Sequence, residues 1–260
     1  MNATIDILRS FKQYNIAITF GWLDVKQRYR RSSVGAFWLT LNMMVMIAAF
    51  ALVFGTIFKA PLTEYLPFVT AGMIVWTFFN SALSEGCYTF TQSEGMIKQT
   101  ELPLFLHILR MIWRNLIIVL HNLIVLPFVY IYTGKEVNAA ILLAIPCFFL
   151  LIINTAWISL LFATICARFR DMPAIIANTI QVLFYLTPII WMPQQLPERT
   201  SAEILKLNPL FHLVETVRAP LLGQAPTQEN VIWAIGMSVC GWILTIIFYN
   251  KFSKRIVYWL

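Results

Sequence analysis

The chain has 260 residues, 59% of them hydrophobic and only 12% charged, with a formal charge of +7. A soluble domain carries about 25% charged residues, so this composition excludes an ordinary soluble enzyme and implies an integral membrane protein. The cations lie beside apolar runs and not on a polar domain, which argues against nucleic acid as a partner, and the length suits six helices in one membrane domain.

Residues 1–35 read as an N-terminal interfacial segment. Ile5, Leu8, Phe11, Tyr14 (or Asn15) and Ile18 recur at helical spacing, while Asp6, Arg9, Lys12 and Gln13 fall elsewhere on the wheel. This predicts an amphipathic helix lying in the membrane surface, or packed on a partner protein, with Phe20 and Trp22 as anchors. No n-region, apolar run and cleavage site follow one another here, so no cleavable signal peptide is expected. Next come Lys26, Arg28, Arg30 and Arg31, and after them no ionisable group appears from Val34 to Phe58. Basic residues beside a span are retained on the cytoplasmic side. They also suit an anionic lipid or substrate head group, and since guanidinium groups pair with phosphate oxygens, Arg28, Arg30 and Arg31 are the candidates for receiving it.

Residues 36–260 hold the membrane domain. An apolar helix of about 20 residues crosses the hydrocarbon core, and the first span covers Ala36 to Phe58. Lys59, Pro61 and Glu64 make an outer turn, and the second span runs from Leu66 to Leu83. The polar stretch that follows, with Glu85, Glu94, Lys98 and Glu101, is long for a connection in a bundle and predicts a role of its own. The third span is Ile108 to Tyr132, with Arg110 and Arg114 snorkelling at its inner end. The fourth, Ala139 to Cys166, ends in Arg168, Phe169, Arg170 and Asp171. Pro173 opens the fifth, which lasts to Trp191 and is interrupted at Pro188. Residues 193–230 mix proline with apolar groups such as Leu210, Phe211 and Leu213, which predicts short helices dipping into the outer leaflet or capping a cavity. The sixth span is Val231 to Tyr249. On this topology fourteen of the nineteen Lys and Arg lie inside and five outside, so both termini are expected in the cytoplasm.

No catalytic or metal-binding set emerges. His107, His121 and His212 are far apart, and Cys87, Cys147, Cys166 and Cys240 lack ligand spacing and read as small apolar residues. His121 with Asn122 is the one mid-membrane pair, of the kind that makes an interhelical hydrogen bond. The proposed span interiors hold no Asp or Glu, which argues against ion coupling. GxxxxGK[ST] is also absent, so ATP would have to be hydrolysed on a separate chain. The expected contacts for that ATPase are Glu94, Lys98, Glu101 and Pro103, with Arg168, Arg170 and Asp171 as a second patch.

Short motifs in order along the chain carry a resemblance to a known family. They are Arg28-Tyr29-Arg30-Arg31-Ser32, Gly35 and Trp38; Gly72 and Trp76 to Phe79; Leu102-Pro103; Phe169-Arg170-Asp171; Thr187-Pro188-Ile189; and Asn208-Pro209. The chain resembles the membrane subunits of ABC-2 type exporters, closest to those that export O-antigen, capsule and teichoic acid polymers. The resemblance implies an all-α integral membrane fold with six transmembrane helices, an N-terminal amphipathic helix, a cytoplasmic coupling segment at 84–107 and periplasmic gate helices in 193–230. It implies a homodimer in the bacterial inner membrane, bound to two ATPase subunits that hold ATP and Mg, with no cofactor on this chain. The substrate would be a polysaccharide on a polyprenyl pyrophosphate lipid. Met43 stands where the family usually has proline, so span one lacks the kink residue. A small hydrophobic drug or lipid is the alternative cargo, and a membrane enzyme acting on lipid or glycan the alternative of another class. The chain is 15% aromatic, and sugar rings stack on aromatic faces. Phe50, Phe54 and Phe58 share one face of span one, and Phe184, Tyr185 and Trp191 lie towards the end of span five. The sequence therefore predicts a stacking lane through these rings, between two copies of the chain.

Overall fold

The computed structural model describes residues 3–30, 35, 37–195 and 205–260, and no strand occurs among them. Eleven α-helices carry the description: α1 Ala3–Lys12, α2 Tyr14–Tyr29, α3 Phe37–Ile57, α4 Leu62–Gln92, α5 Glu94–Gln99, α6 Leu104–Leu123, α7 Val125–Thr133, α8 Ala144–Arg168, α9 Met172–Leu186, α10 Pro209–Leu221 and α11 Gln228–Trp259. Among the described residues five helical stretches are long and apolar enough to cross a membrane: α3, α4, α6 with α7, α8 with the 3₁₀ turn before it, and α11. The apolar α9 has only 15 residues.

The central element is α4. It touches α3, α6, α7, α8, α9 and α10, and Val69, Ile74, Val75 and Phe78 are almost fully buried along it. The outer helices bury only a stripe. On α3, Leu52, Val53 and Ile57 remain more than half exposed, as do Ile232, Val239 and Ile247 on α11; apolar side chains facing outward suit a lipid solvent. Small residues let α4, α8 and α11 approach. A Cβ on Gly241 would lie 2.2 Å from Trp157, and one on Gly86 would lie 3.0 Å from Ser159.

Element boundaries depart from the sequence expectation where proline or a cap decides. The helix of span two does not stop at Leu83 but runs to Gln92, so residues 84–92 of the stretch read as a polar connection continue α4, and short α5 follows. Span three is broken at Ile124, because Pro127 has no N–H for the Leu123 carbonyl. The fifth helix ends at Leu186, short of Trp191. Thr187 is extended (φ −94°, ψ 134°), as the residue before a proline must be. In span one, Met43 lies within an unbroken α3.

Residues 187–190 after that break are irregular yet buried, and other elements satisfy their carbonyls. Arg218, only 1% exposed, donates to the Pro188 carbonyl and to Glu215, and its guanidinium sits 4.0 Å from the centre of the Phe68 ring. The Tyr65 hydroxyl donates to the Ile190 carbonyl. Asn208 caps α10 through the Leu210 and Phe211 N–H groups and donates to Thr187 Oγ1 at 2.9 Å. Of the described part of this segment, α10 packs into the bundle with Leu213, Val214 and Val217 buried; residues 196–204 lie outside the description. Arg218, counted among the outer cations from sequence, is a buried structural clamp, and burial pushes its pKa down.

The N-terminal segment is two helices meeting at Gln13. Ile5, Leu8 and Phe11 are exposed on α1 as an apolar face, but Asp6 is fully buried on the other side. Its carboxylate accepts the N–H groups of Leu104 and Phe105 (3.0 Å each) and the Tyr249 hydroxyl (2.9 Å). A residue 98 positions away thereby caps α6, satisfying donors that every helix start leaves orphaned. The Ala3 N–H donates to Asn250 Oδ1, so the N-terminal helix and the end of α11 lie on the same side of the bundle.

Candidate functional site

On that same side, α2, α4 and α6 meet through charge. Arg110 clamps Asp24 with two parallel bonds, Nε at 2.7 Å and Nη2 at 2.6 Å. Arg114, one turn on, reaches Asp24 at 3.2 Å and Glu85 at 2.8 Å. Asn115 adds a bond to Glu85 at 2.7 Å, and Arg28 approaches the other Glu85 oxygen at 3.6 Å. The side chains of Asp24, Glu85, Arg110 and Arg114 are 16–23% exposed, so Arg110 and Arg114 do not snorkel outward as the sequence suggested. They are the shared cations of a lattice, with bidentate geometry that only arginine offers.

Directly beyond this lattice lies a groove. Thr77, Asn80, Ser81, Ser84 and Glu85 recur at i, i+3, i+4, i+7 and i+8 on α4, which places them on one face of an otherwise apolar helix. A cavity of about 640 Å³ follows that face from Met73 to Glu85 and is closed by α3, α6 and α9. Twelve residues of helix correspond to about 18 Å of path. The lining adds Asn42 from α3, Asn122 from α6 and Gln181 from α9. Among the described residues its charged groups are Arg28 and Glu85, which face one another at its mouth. Asn122 is 3% exposed and its Oδ1 has no hydrogen-bond partner. The paired histidine behaves otherwise than expected. His121 Nδ1 bonds within its own helix to the Ile117 carbonyl (2.8 Å), and the interhelical bond at this level runs from Thr40 Oγ1 to the His121 carbonyl (3.0 Å).

The sequence-predicted residues divide between this groove and other places. Arg28 stands at the mouth, Arg30 is exposed beside it on the end of α2, and Arg31 falls outside the described residues. Phe184 and Tyr185 line the groove, with Phe184 5.4 Å from the Trp76 ring. Trp191 does not line it; its Nε1 donates to the Tyr185 carbonyl (3.0 Å). Phe50, Phe54 and Phe58 form a ladder with centroids 5.9 and 5.8 Å apart, packed against the core and not in the groove. On α5, Glu94 and Lys98 pair with each other at 2.7 Å. Glu101 is exposed, and Pro103 is buried at the start of α6. Arg168 lies over the Phe169 and Trp259 rings at 5.2 and 5.4 Å, while Arg170 and Asp171 are exposed. Sequence reading missed Asp24, Glu85, Asn80, Asn42 and Gln181 as one site. For Asn80 and Glu85 the signal was the polar period along α4, hidden because the second span was ended at Leu83; Asp24, Asn42 and Gln181 lie on other helices.

Several long apolar helices around a buried central one, with a groove entering from a charged mouth, define a multi-pass membrane protein. The ABC-2 type transporter family matches residues 17–222, and the chain belongs to it; within that family it is a transport subunit. Its relatives include an O-antigen export system permease protein RfbA of Klebsiella pneumoniae, 25% identical over 254 residues that cover 94% of this chain and 96% of the relative. Another is the O-antigen export system permease protein RfbA of Myxococcus xanthus, 21% identical over 246 residues, covering 88% and 94%.

Proposed function

We propose that the chain is the permease subunit of an ATP-driven exporter that carries a polysaccharide on a polyprenyl pyrophosphate lipid, of O-antigen or capsule type, across the bacterial cytoplasmic membrane. The observation that carries this reading is the groove: amides and hydroxyls set among apolar side chains, uncharged beyond its mouth, and open where Arg28 faces Glu85 with Arg30 exposed nearby. A neutral polyhydroxylated chain with an anionic lipid anchor fits that order of groups. The relatives' names, with nearly full coverage, point the same way. A purely hydrophobic cargo would strip water from the groove's amides without replacing their hydrogen bonds.

In this reading α9 is the fifth of six crossings. Its 15 helical residues span about 22 Å, and the protein-covered residues 187–190 complete the passage. Both termini then lie in the cytoplasm. Arg28, Arg30 and Arg31 receive the pyrophosphate, and Arg28 leaves Glu85 to do so. Two copies of the chain enclose the path, with α3 and α9 facing the partner. Phe184 and Tyr185 serve the sugar chain along it, while Phe50, Phe54, Phe58 and Trp191 stand off the groove. Two ATPase subunits dock on α5 (Glu94, Lys98) with Glu101 and Pro103, and on Arg168, Arg170 and Asp171. ATP and Mg stay on those subunits.

The test is affinity purification of the chain from its native membranes, combined with its depletion in the same cells. An ATPase subunit should co-purify, and depletion should retain lipid-linked polymer on the cytoplasmic side while the surface loses it. A chain that purifies alone, with surface polymer unchanged on depletion, overturns the reading.

A further inference from the structure

We propose that the groove is a hydrogen-bonding lane that reads sugar hydroxyls through a set of carboxamides, Asn42, Asn80, Asn122 and Gln181. This rests on the export reading and assigns the recognition chemistry within it. The four amides come from four different helices, α3, α4, α6 and α9, and converge on one cavity. A buried carboxamide is costly unless a partner meets it, and of the four Asn122 is the buried one, while Asn42 and Gln181 stand exposed at the groove. Here they are not spent on the protein. Among the described residues, Asn42, Asn122 and Gln181 make no side-chain hydrogen bond, and Asn80 only accepts a long one from Ser84 (3.4 Å). Asn122 is the sharpest case, since its carbonyl oxygen is buried in the wall without a partner.

A carboxamide offers two N–H donors and one two-lone-pair acceptor, fixed in a plane. Neighbouring hydroxyls on a sugar ring likewise present a donor beside an acceptor, so one amide closes a pair of them. No charge is needed, and none stands between the two ends of the lane. A lane without charges holds each sugar weakly and lets it be handed on, because neutral hydrogen bonds exchange for water at little net gain. Between the amides the wall is apolar, and Trp76, Phe184 and Tyr185 in it give the C–H faces of the ring a surface to lie on. A volume of about 640 Å³ falls within the range of small-ligand sites, about 300–1,000 Å³. The lane therefore holds a few sugar units at a time and not the polymer. The aromatic ladder of α3 lies off this lane, so the rings that meet the sugar are those of α4 and α9, and the amides select among hydroxyl patterns.

The experiment uses the permease–ATPase complex in lipid nanodiscs and three radiolabelled probes: the lipid-linked oligosaccharide extracted from the source cells, undecaprenyl pyrophosphate without sugar, and the same oligosaccharide lipid permethylated. Permethylation removes every hydroxyl donor but keeps the rings. Asn42→Leu and Gln181→Leu, both at exposed wall positions, avoid the folding risk of Asn122→Leu. The wild type should prefer the native glycan lipid over the sugar-free lipid. Each variant should weaken native glycan binding about three- to tenfold, the worth of one neutral hydrogen bond, and leave the sugar-free and permethylated probes unchanged. If the variants keep wild-type affinity for the native glycan, or weaken all three probes alike, the amide lane is overturned while the export reading stands. If the wild type shows no preference for the glycan over bare lipid, both fall.

Discussion

Asp24→Asn isolates what the charge lattice contributes to the fold. Asn keeps the shape of the side chain but removes the negative charge and turns an NH₂ group toward two guanidinium ions. The native carboxylate accepts three charged bonds, two from Arg110 at 2.6 and 2.7 Å and one from Arg114 at 3.2 Å. Removing one partner of a fully buried ion pair costs about 3–5 kcal/mol. Here the side chains are 16–23% exposed, so screening lowers that figure, and Arg114 keeps Glu85. The expected loss is about 2–3 kcal/mol, after discounting the cost for partial solvation. The assay is reversible unfolding in mixed micelles, arranged as a double-mutant cycle with Arg110→Gln. The cycle should give a coupling of about 1–2 kcal/mol, since residues in one hydrogen-bonded network are not additive. The same cycle on Glu94 and Lys98, whose side chains are 45% and 43% exposed, should give no more than about 0.5 kcal/mol. Additivity within about 0.5 kcal/mol at Asp24 and Arg110 would refute the view that the lattice fastens α2 to α6.

Other consequences concern the remaining junctions. Burial pushes the Asp6 carboxyl above the ordinary carboxylate range, its bonds to Phe105, Tyr249 and Leu104 offsetting this only in part. A carboxyl raised in the folded state gives stability that is complete below the unfolded value, about 3.9, and lost as pH rises through the folded value; unfolding midpoints measured upward from about pH 4 should show this fall for the wild type and not for Asp6→Asn. Gly241→Ala should cost about 1–3 kcal/mol, because its Cβ would lie 2.2 Å from Trp157, and the additional change Trp157→Leu should recover part of the loss in the same unfolding assay. Arg218→Met should release residues 187–190 from α10, read as faster hydrogen exchange of that segment and of α10 with little change on α6.

Much of the architecture was legible because membrane helices declare themselves by length and hydropathy. The ends of α3 fell within one residue of the expected first span, since charge and turn chemistry flank it on both sides. The misplaced ends have local causes. Pro127 and Pro188 break helices whose apolar pattern continues past them, and the polar face of α4 disguised a helix as a loop. Asn208-Pro209 and Thr187-Pro188 were both recognised as motifs. Their contact, an asparagine capping α10 while bonding the broken end of α9, needed three dimensions. The site was less legible still. Glu85 read only as part of a polar connection, and no periodicity could show that Asp24 satisfies arginines 86 and 90 positions later. Convergence of four amides from four helices is a property of packing and leaves no spacing in the chain.

The export claim itself is tested most directly in inverted membrane vesicles, where the cytoplasmic face is outside. Radiolabelled lipid-linked polysaccharide from the source cells is added with ATP, and the fraction protected from an added glycosidase is followed. Vesicles holding this chain and its co-purifying ATPase should protect the polymer only when ATP is present, and Asn42→Leu with Gln181→Leu should slow that protection. Protection that is equal without ATP, or equal in vesicles lacking the chain, would contradict the account.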